Sequence, residues 1–178
     1  MVARQEDQAD LRGRASLARA GGGLIAIGTE PTLEEIMTMA QACELPVDFL
    51  FTLRLNGSAR PEHLFDTPWG QRRETRARGG SFSGPRLAGE VLDGLANDWG
   101  AVSADGIGAF DANIVLRTDD GEAIFMPFYG REDRDGRVRI SPLFEASDGK
   151  YAWLTEIQAV GVGGAEGDDL VLDIYAVK

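Results

Sequence analysis

Val47, Phe49, Phe51, Leu53 and Leu55 alternate with Asp48, Leu50, Thr52, Arg54 and Asn56, and a period of two is the signature of a strand with one apolar side. Further runs of strand character occupy Arg72 to Phe82, Leu87 to Leu92, Ala101 to Ser103, Ile107 to Arg117, Ala123 to Tyr129, Arg137 to Phe144, Thr155 to Val162 and Leu170 to Val177. The clusters TDDGEA, EDRDGRV and GAEGDDL lie between runs and have the chemistry of hairpin turns, so consecutive strands pair antiparallel. Strands in this number with almost no helix between them close into a barrel or stack as a sandwich, and closure removes the edges that invite aggregation. The expected fold is mainly all-β: a single antiparallel β-barrel of about nine strands with one N-terminal helix.

That helix is read over residues 29–45, where Thr32 and Glu35 have capping-box spacing and Leu33, Ile36, Met37 and Ala40 share a face. Pro46 stops it. A soft boundary near residue 30 separates a flexible N-terminal arm, 1–30, from a helix-plus-barrel domain, 31–178. The arm has the look of a degraded twin-arginine export signal, but Arg12 and Arg14 are not adjacent and no A-x-A cleavage pattern follows. A cytoplasmic location is expected, with export through this N-terminus as the alternative.

Eighteen basic and 29 acidic residues give a net charge of −11, which repels phosphate backbones and anionic lipid, so neither nucleic acid nor membrane is an expected partner. No run approaches the length of a membrane-spanning helix. The 23 glycines suit a turn-rich chain. Cys43 is the lone cysteine, so no intrachain disulfide forms. His63 and Cys43 are too few for a conventional zinc site, and no metal or cofactor is expected. REDRDG has Arg131 where a calcium loop needs its first acid, and reads as a hairpin turn. GVGGAEG lacks the last glycine of a dinucleotide fingerprint, and no serine sits in a G-x-S-x-G elbow.

What remains is a set of acids, arginines and aromatics on strand faces. Phe110, Ala112, Ile114 and Leu116 share one face; Asp111, Asn113, Val115 and Arg117 share the other. Asp173 and Tyr175 alternate with Leu172 and Ile174 in the same way. Either the polar face meets water, the commoner arrangement, or it lines a cavity in which a desolvated Asp serves as acid or base. AIFMPFY, Ala123 to Tyr129, is apolar on both faces and calls for cover on both sides. His63 reads as an exposed loop imidazole, and Trp69, Trp99 and Trp153 as core anchors before ligand platforms.

Gly79 to Gly100, GGSFSGPRLAGEVLDGLANDWG, packs glycines ahead of an Asp98-Trp99 pair, as a barrel corner needs where backbones approach closely. The marks Gly79, Gly80, Gly84, Pro85, Gly89, Asp98-Trp99, Asp105-Gly106, LRTDDG, Tyr129-Gly130, Phe144-Glu145 and YAWL occur in the order of the domain-of-unknown-function 3237 family, also described as uncharacterised protein family 0311, which this chain resembles from about Pro46 to its C-terminus. The resemblance implies an antiparallel β-barrel, oligomeric, with no settled general activity. ANDW departs from the pattern by placing Ala-Asn where glycines are expected.

The functional expectation is a barrel that binds a small apolar or aromatic molecule and acts on it by cofactor-free acid-base chemistry of isomerase, lyase or cyclase type. Asp98, Asp111, Arg117, Tyr129 and Asp173 are the catalytic candidates; Trp99, Trp153, Phe128 and Tyr175 are the candidate ligand walls. The alternative is a non-catalytic ligand carrier or a homo-oligomeric assembly module. A homodimer is the expected assembly.

Overall fold

A computed structural model of the chain describes residues 44–178. The expected N-terminal arm, most of the expected helix and Cys43 lie outside the described residues. Eleven strands follow in chain order: β1 (Val47–Leu55), β2 (His63–Thr67), β3 (Gly70–Arg76), β4 (Gly80–Ser83), β5 (Ala88–Val102), β6 (Gly108–Thr118), β7 (Ala123–Glu132), β8 (Arg137–Pro142), β9 (Glu145–Ala146), β10 (Ala159–Glu166) and β11 (Asp169–Val177). A short 3-10 turn, Ala152–Glu156, stands where the sequence suggested the start of a strand at Thr155.

The count of nine is corrected by local events. The run Arg72 to Phe82 breaks at residues 77–79 into β3 and β4, while Leu87 to Leu92 and Ala101 to Ser103 join into the 15-residue β5. β2 was not expected, because its HLFDT lacks a dry face: four of its five residues are exposed.

All pairings are antiparallel, and the ring closes in the order β5, β4, β1, β11, β10, β8, β7, β6 and back to β5. This is a closed eight-stranded barrel with extra strands. β5 is long enough to serve two neighbours on one edge, β4 along Ala88–Val91 and β3 along Asn97–Val102. Between them, residues 92–95 of β5 stand opposite Val115 alone, a bulge that bends the strand. Past it, β3 takes the place of β4 beside β5 and pairs in turn with β2, a two-stranded flap added to the ring of eight.

Barrel closure at the β4 corner depends on glycine. A Cβ on Gly80 would lie 2.0 Å from the Arg54 carbonyl oxygen and one on Gly89 2.1 Å from that of Arg117, so any larger residue would push adjacent backbones apart. The glycine richness of Gly79 to Gly100 therefore sets how tightly the strands meet.

The centre of the barrel is filled. Phe51, Leu53, Ile114, Leu116, Ile124, Met126, Leu172 and Ile174 are at most 1% exposed, and each large aliphatic or aromatic side chain buried this way contributes about 1.5–3 kcal/mol. Phe51 packs edge-on against Phe82 and Phe144, with ring centroids 5.5 and 6.1 Å apart. β1 carries a bulge at Leu50, between the pairs Phe49–Tyr175 and Phe51–Ile174. The extra residue turns Leu50 into the core and leaves Val47 and Phe49 exposed, reversing the face that uninterrupted alternation assigns them.

Candidate functional site

At the end of the barrel beside the bulge of β5, small side chains leave space. Thr75 and Ala77 from β3 and its continuation, Ala96 on β5 and Ala112 on β6 face Leu55, Phe110, Ile114, Phe128 and Leu170 around a cavity of about 20 Å3, enough for one water-sized group. Asp98 forms part of its wall. Ser58, in the connection between β1 and β2, lines this cavity and an adjoining one that reaches Arg73 and Glu132. That connection is tied down as a roof. Gly57 donates its backbone N–H to Asp169 Oδ1 at 2.9 Å, and Ala59 donates to the Asp168 carbonyl at 3.0 Å.

Under the roof the cross-strand register does the positioning. Thr75 stands opposite Asp98 and Arg73 opposite Gly100, so alternation turns Arg73, Thr75 and Asp98 inward together. Asp98 Oδ1 accepts a 2.7 Å hydrogen bond from the Asp111 N–H. Its Oδ2 lies 3.7 Å from Arg73 Nε, beyond hydrogen-bond reach. Arg73 Nη1 donates to Glu132 Oε2 at 3.1 Å, and the guanidinium carbon sits 4.4 Å from the centre of the Phe110 ring. Arg73 and Asp98 are each more than nine-tenths buried.

Two glycines clear room for this group. A Cβ on Gly100 would lie 2.8 Å from Arg73 Nε and 2.9 Å from Asp98 Oδ2; one on Gly108 would lie 2.9 Å from Glu132 Oε2. The hydrogen bonding is nevertheless incomplete, because Arg73 Nε, Arg73 Nη2 and Asp98 Oδ2 are buried with no partner. Each such orphan costs about 1–3 kcal/mol unless a water or a ligand atom meets it. Desolvation pushes the Asp98 carboxyl above its usual range, against the opposing pull of the Asp111 N–H and the Arg73 charge. The corner thus offers a desolvated carboxyl, a cation and an apolar wall.

The sequence-derived candidates do not converge on one point. Asp98 and Phe128 line the inner cavity. Asp111 and Arg117 are exposed on the outer face of β6, where Arg117 pairs with Glu90 across from it on β5. Asp111 reaches the site only through its backbone N–H. Tyr129 is 66% exposed on the outside of β7. Asp173 and Tyr175 face outward on β11; Asp173 accepts from Thr52 Oγ1 at 2.6 Å and Tyr175 packs edge-on against Phe49. The polar faces of β6 and β11 thus point away from the lumen, since the apolar alternates win the interior.

The tryptophans correct the expectation of core anchors. Trp69 is 90% and Trp99 51% exposed, and Trp153 is partly buried at the edge of the core with the Arg86 guanidinium 3.5 Å above its ring. Within the chain, Phe125 and Pro127 on the outer face of Ala123 to Tyr129 are half-buried. REDRDG is a hairpin turn, with Asp133 Oδ1 accepting the N–H groups of Asp135 and Arg137 at 3.0 Å. Sequence reasoning did not single out Arg73, Thr75 or Glu132. The signal for Arg73 and Thr75 was their spacing with Ala77 on one face of a charged run, masked by Arg72, Glu74 and Arg76; Glu132, at the end of β7, carried none.

The class defined by this fold and site is a closed antiparallel β-barrel with a charged cluster buried at one end. Within that class, the chain belongs to the family described as protein of unknown function (DUF3237), which matches residues 45–132 and 129–177. The chain is 27% identical over 137 residues to the hydroalkoxylation enzyme phnH of Penicillium herquei, covering 76% of this chain and 78% of that protein. Among solved structures it resembles a beta-barrel like protein from Acinetobacter baumannii AYE, at 28% identity and a TM-score of 0.66 over 78% of this chain and all of that one. It shares the fold of an enzyme from Penicillium herquei, at 22% identity and a TM-score of 0.63 over 78% of this chain and 98% of that one.

Proposed function

We propose that this protein is an enzyme that transfers a proton to and from a small, largely apolar or aromatic substrate at the roofed end of the barrel, with Asp98 as the group that holds the proton. The observation that carries this reading is the Asp98 carboxyl itself: buried, fixed at one oxygen by the Asp111 N–H, free at the other, and pushed toward its neutral form by desolvation. Arg73 stands beside the free oxygen and steadies negative charge that develops there.

The likeness to a hydroalkoxylation enzyme narrows the chemistry. Hydroalkoxylation adds an O–H across a C=C bond. In an intramolecular version Asp98 gives its proton to one alkene carbon, a hydroxyl oxygen of the same molecule bonds to the other, and the hydroxyl proton returns to the carboxylate. Nothing leaves, so the product is a cyclic isomer of the substrate. A cavity of about 20 Å3 beside Asp98 has room for one reacting group of such a molecule.

The test is a panel of phenols bearing a pendant alkene, incubated with purified protein and followed by chiral chromatography. Stereoselective cyclisation that disappears in Asp98→Asn and survives in Asp111→Asn supports the assignment. Cyclisation that Asp98→Asn leaves unchanged removes Asp98 from the mechanism.

The packed centre of the barrel favours a second reading, a homo-oligomeric assembly module whose exposed Phe49, Leu64, Phe65 and Tyr129 meet a second copy. A dimer that persists at nanomolar concentration, with no ligand retained in native mass spectrometry and no turnover of the panel, favours that reading.

A further inference from the structure

The flap formed by β2 and β3 carries a second chemically distinct group on the face opposite Asp98, and we propose that Glu62, His63 and Glu74 bind a divalent first-row transition metal ion such as Zn2+. His63 stands directly opposite Glu74 in the β2–β3 register. The Glu62 N–H donates to the Glu74 carbonyl at 2.9 Å, extending the ladder by one residue. Glu62 lies in a bend before β2, so its side chain escapes the strict alternation that would send it away from its neighbour. One donor atom from each of the three residues lies within 4.8 Å of the other two.

Glu74 supplies an independent observation. It is 2% exposed, its Oε1 accepts from Arg76 Nε at 2.5 Å, and its Oε2 has no hydrogen-bond partner. That orphaned oxygen points toward His63, 4.0 Å from Nε2. A buried carboxylate oxygen without a partner is costly, and a cation beside an imidazole removes that cost.

The donor set is one imidazole and two carboxylates, which suits Zn2+ at bond lengths of about 2.0–2.2 Å with a water as fourth ligand. Reaching those lengths requires the three donors to close in. His63 and Glu62 are exposed, while the buried Glu74 is the fixed point. Glu74 also lines a groove of about 290 Å3 with Arg76, Asn97 and Trp99. Arg76 and Arg78, the latter 3.9 Å from Glu62, oppose a cation and set a modest affinity. The sequence reading counted only imidazole and thiol donors; strand pairing brings in two carboxylates that it did not pair with His63.

The experiment is calorimetric titration of the chelator-treated full chain with ZnCl2, with Co2+ absorption as a spectroscopic check of tetrahedral coordination. The expected result is one saturable equivalent per chain, weakened by more than about tenfold in His63→Ala and in Glu74→Gln and unchanged in Glu90→Gln. His63 is exposed, so His63→Ala keeps its fold and decides the matter even where Glu74→Gln does not. Absence of saturable binding, or binding that His63→Ala leaves unchanged, overturns the proposal.

Discussion

Arg73 and Asp98 face each other inside the barrel with 3.7 Å between Nε and Oδ2, too far for a hydrogen bond and too buried for either atom to be solvated freely. The separation leaves a gap between two orphaned polar atoms that a polar atom of water or of a ligand fits. The pair also sets how the protein responds to pH and to substitution.

Asp98→Asn changes the pH dependence of stability in a stated direction. The folded carboxyl titrates above its unfolded value of about 3.9, so its stabilising contribution is fully present below that value and is lost as pH rises through the folded value. The Asn variant does not pay this penalty. Its stability relative to the wild type is expected to rise from pH 3.5 to 7.5, as read by urea unfolding at each pH; a flat difference shows that Asp98 is not perturbed.

Arg73→Met removes the cation that serves Asp98 and Glu132 together. Breaking a buried pair from one side costs about 3 kcal/mol, toward the low end of the usual range because Glu132 is partly exposed. The loss is expected at pH 7 and shrinks in acid as the Asp98 carboxyl, raised by desolvation, becomes neutral. Chemical denaturation at pH 7 and pH 4 measures both.

Gly100→Ala and Gly108→Ala separate backbone crowding from side-chain crowding. The methyl at Gly100 meets the Ala109 carbonyl oxygen at 2.4 Å as well as Arg73 and Asp98, whereas at Gly108 it meets side chains alone, Glu132 Oε2 at 2.9 Å and Cβ at 3.0 Å and Arg73 Nη2 at 3.3 Å. Overpacking costs about 1–3 kcal/mol. Gly100→Ala is expected at the upper end, with displaced Arg73 and Asp98 side chains, and Gly108→Ala at the lower end. Thermal unfolding ranks them.

Asp169→Asn loosens the roof. Asp169 is held below the usual carboxylate range, first by the Gly57 N–H and then by Arg54, to which it bonds at 3.0 Å. Its contribution is present above the unfolded value and is lost as pH falls through the depressed folded value. Faster amide hydrogen exchange over residues 56–62 is expected in the variant at neutral pH, with exchange in β6 unchanged. The wild type should lose the same protection, measured against the intrinsic exchange rate, in strong acid.

Much of the barrel is legible in the sequence because alternation and turn chemistry are local. The runs of β6, β7 and β11 are assigned nearly to their ends, and the Asp/Gly clusters fall at their turns. Bulges are harder to read. At Leu50 and at residues 92–95 one strand holds residues that its partner does not match, and no repeating pattern within a single strand announces this.

The sequence by itself determined the class of fold, the antiparallel connections and the glycine corner, since φ/ψ preference, side-chain period and turn residues act over a few positions. Only the tertiary structure decided that Asp111, Arg117, Tyr129 and Asp173 face outward while Asp98 meets Arg73, and that His63 meets Glu74. Which face of a strand is inside, and which residues stand opposite across a ladder, depends on register. Register is settled by the simultaneous burial of apolar faces from strands far apart in the chain, such as β1 against β11.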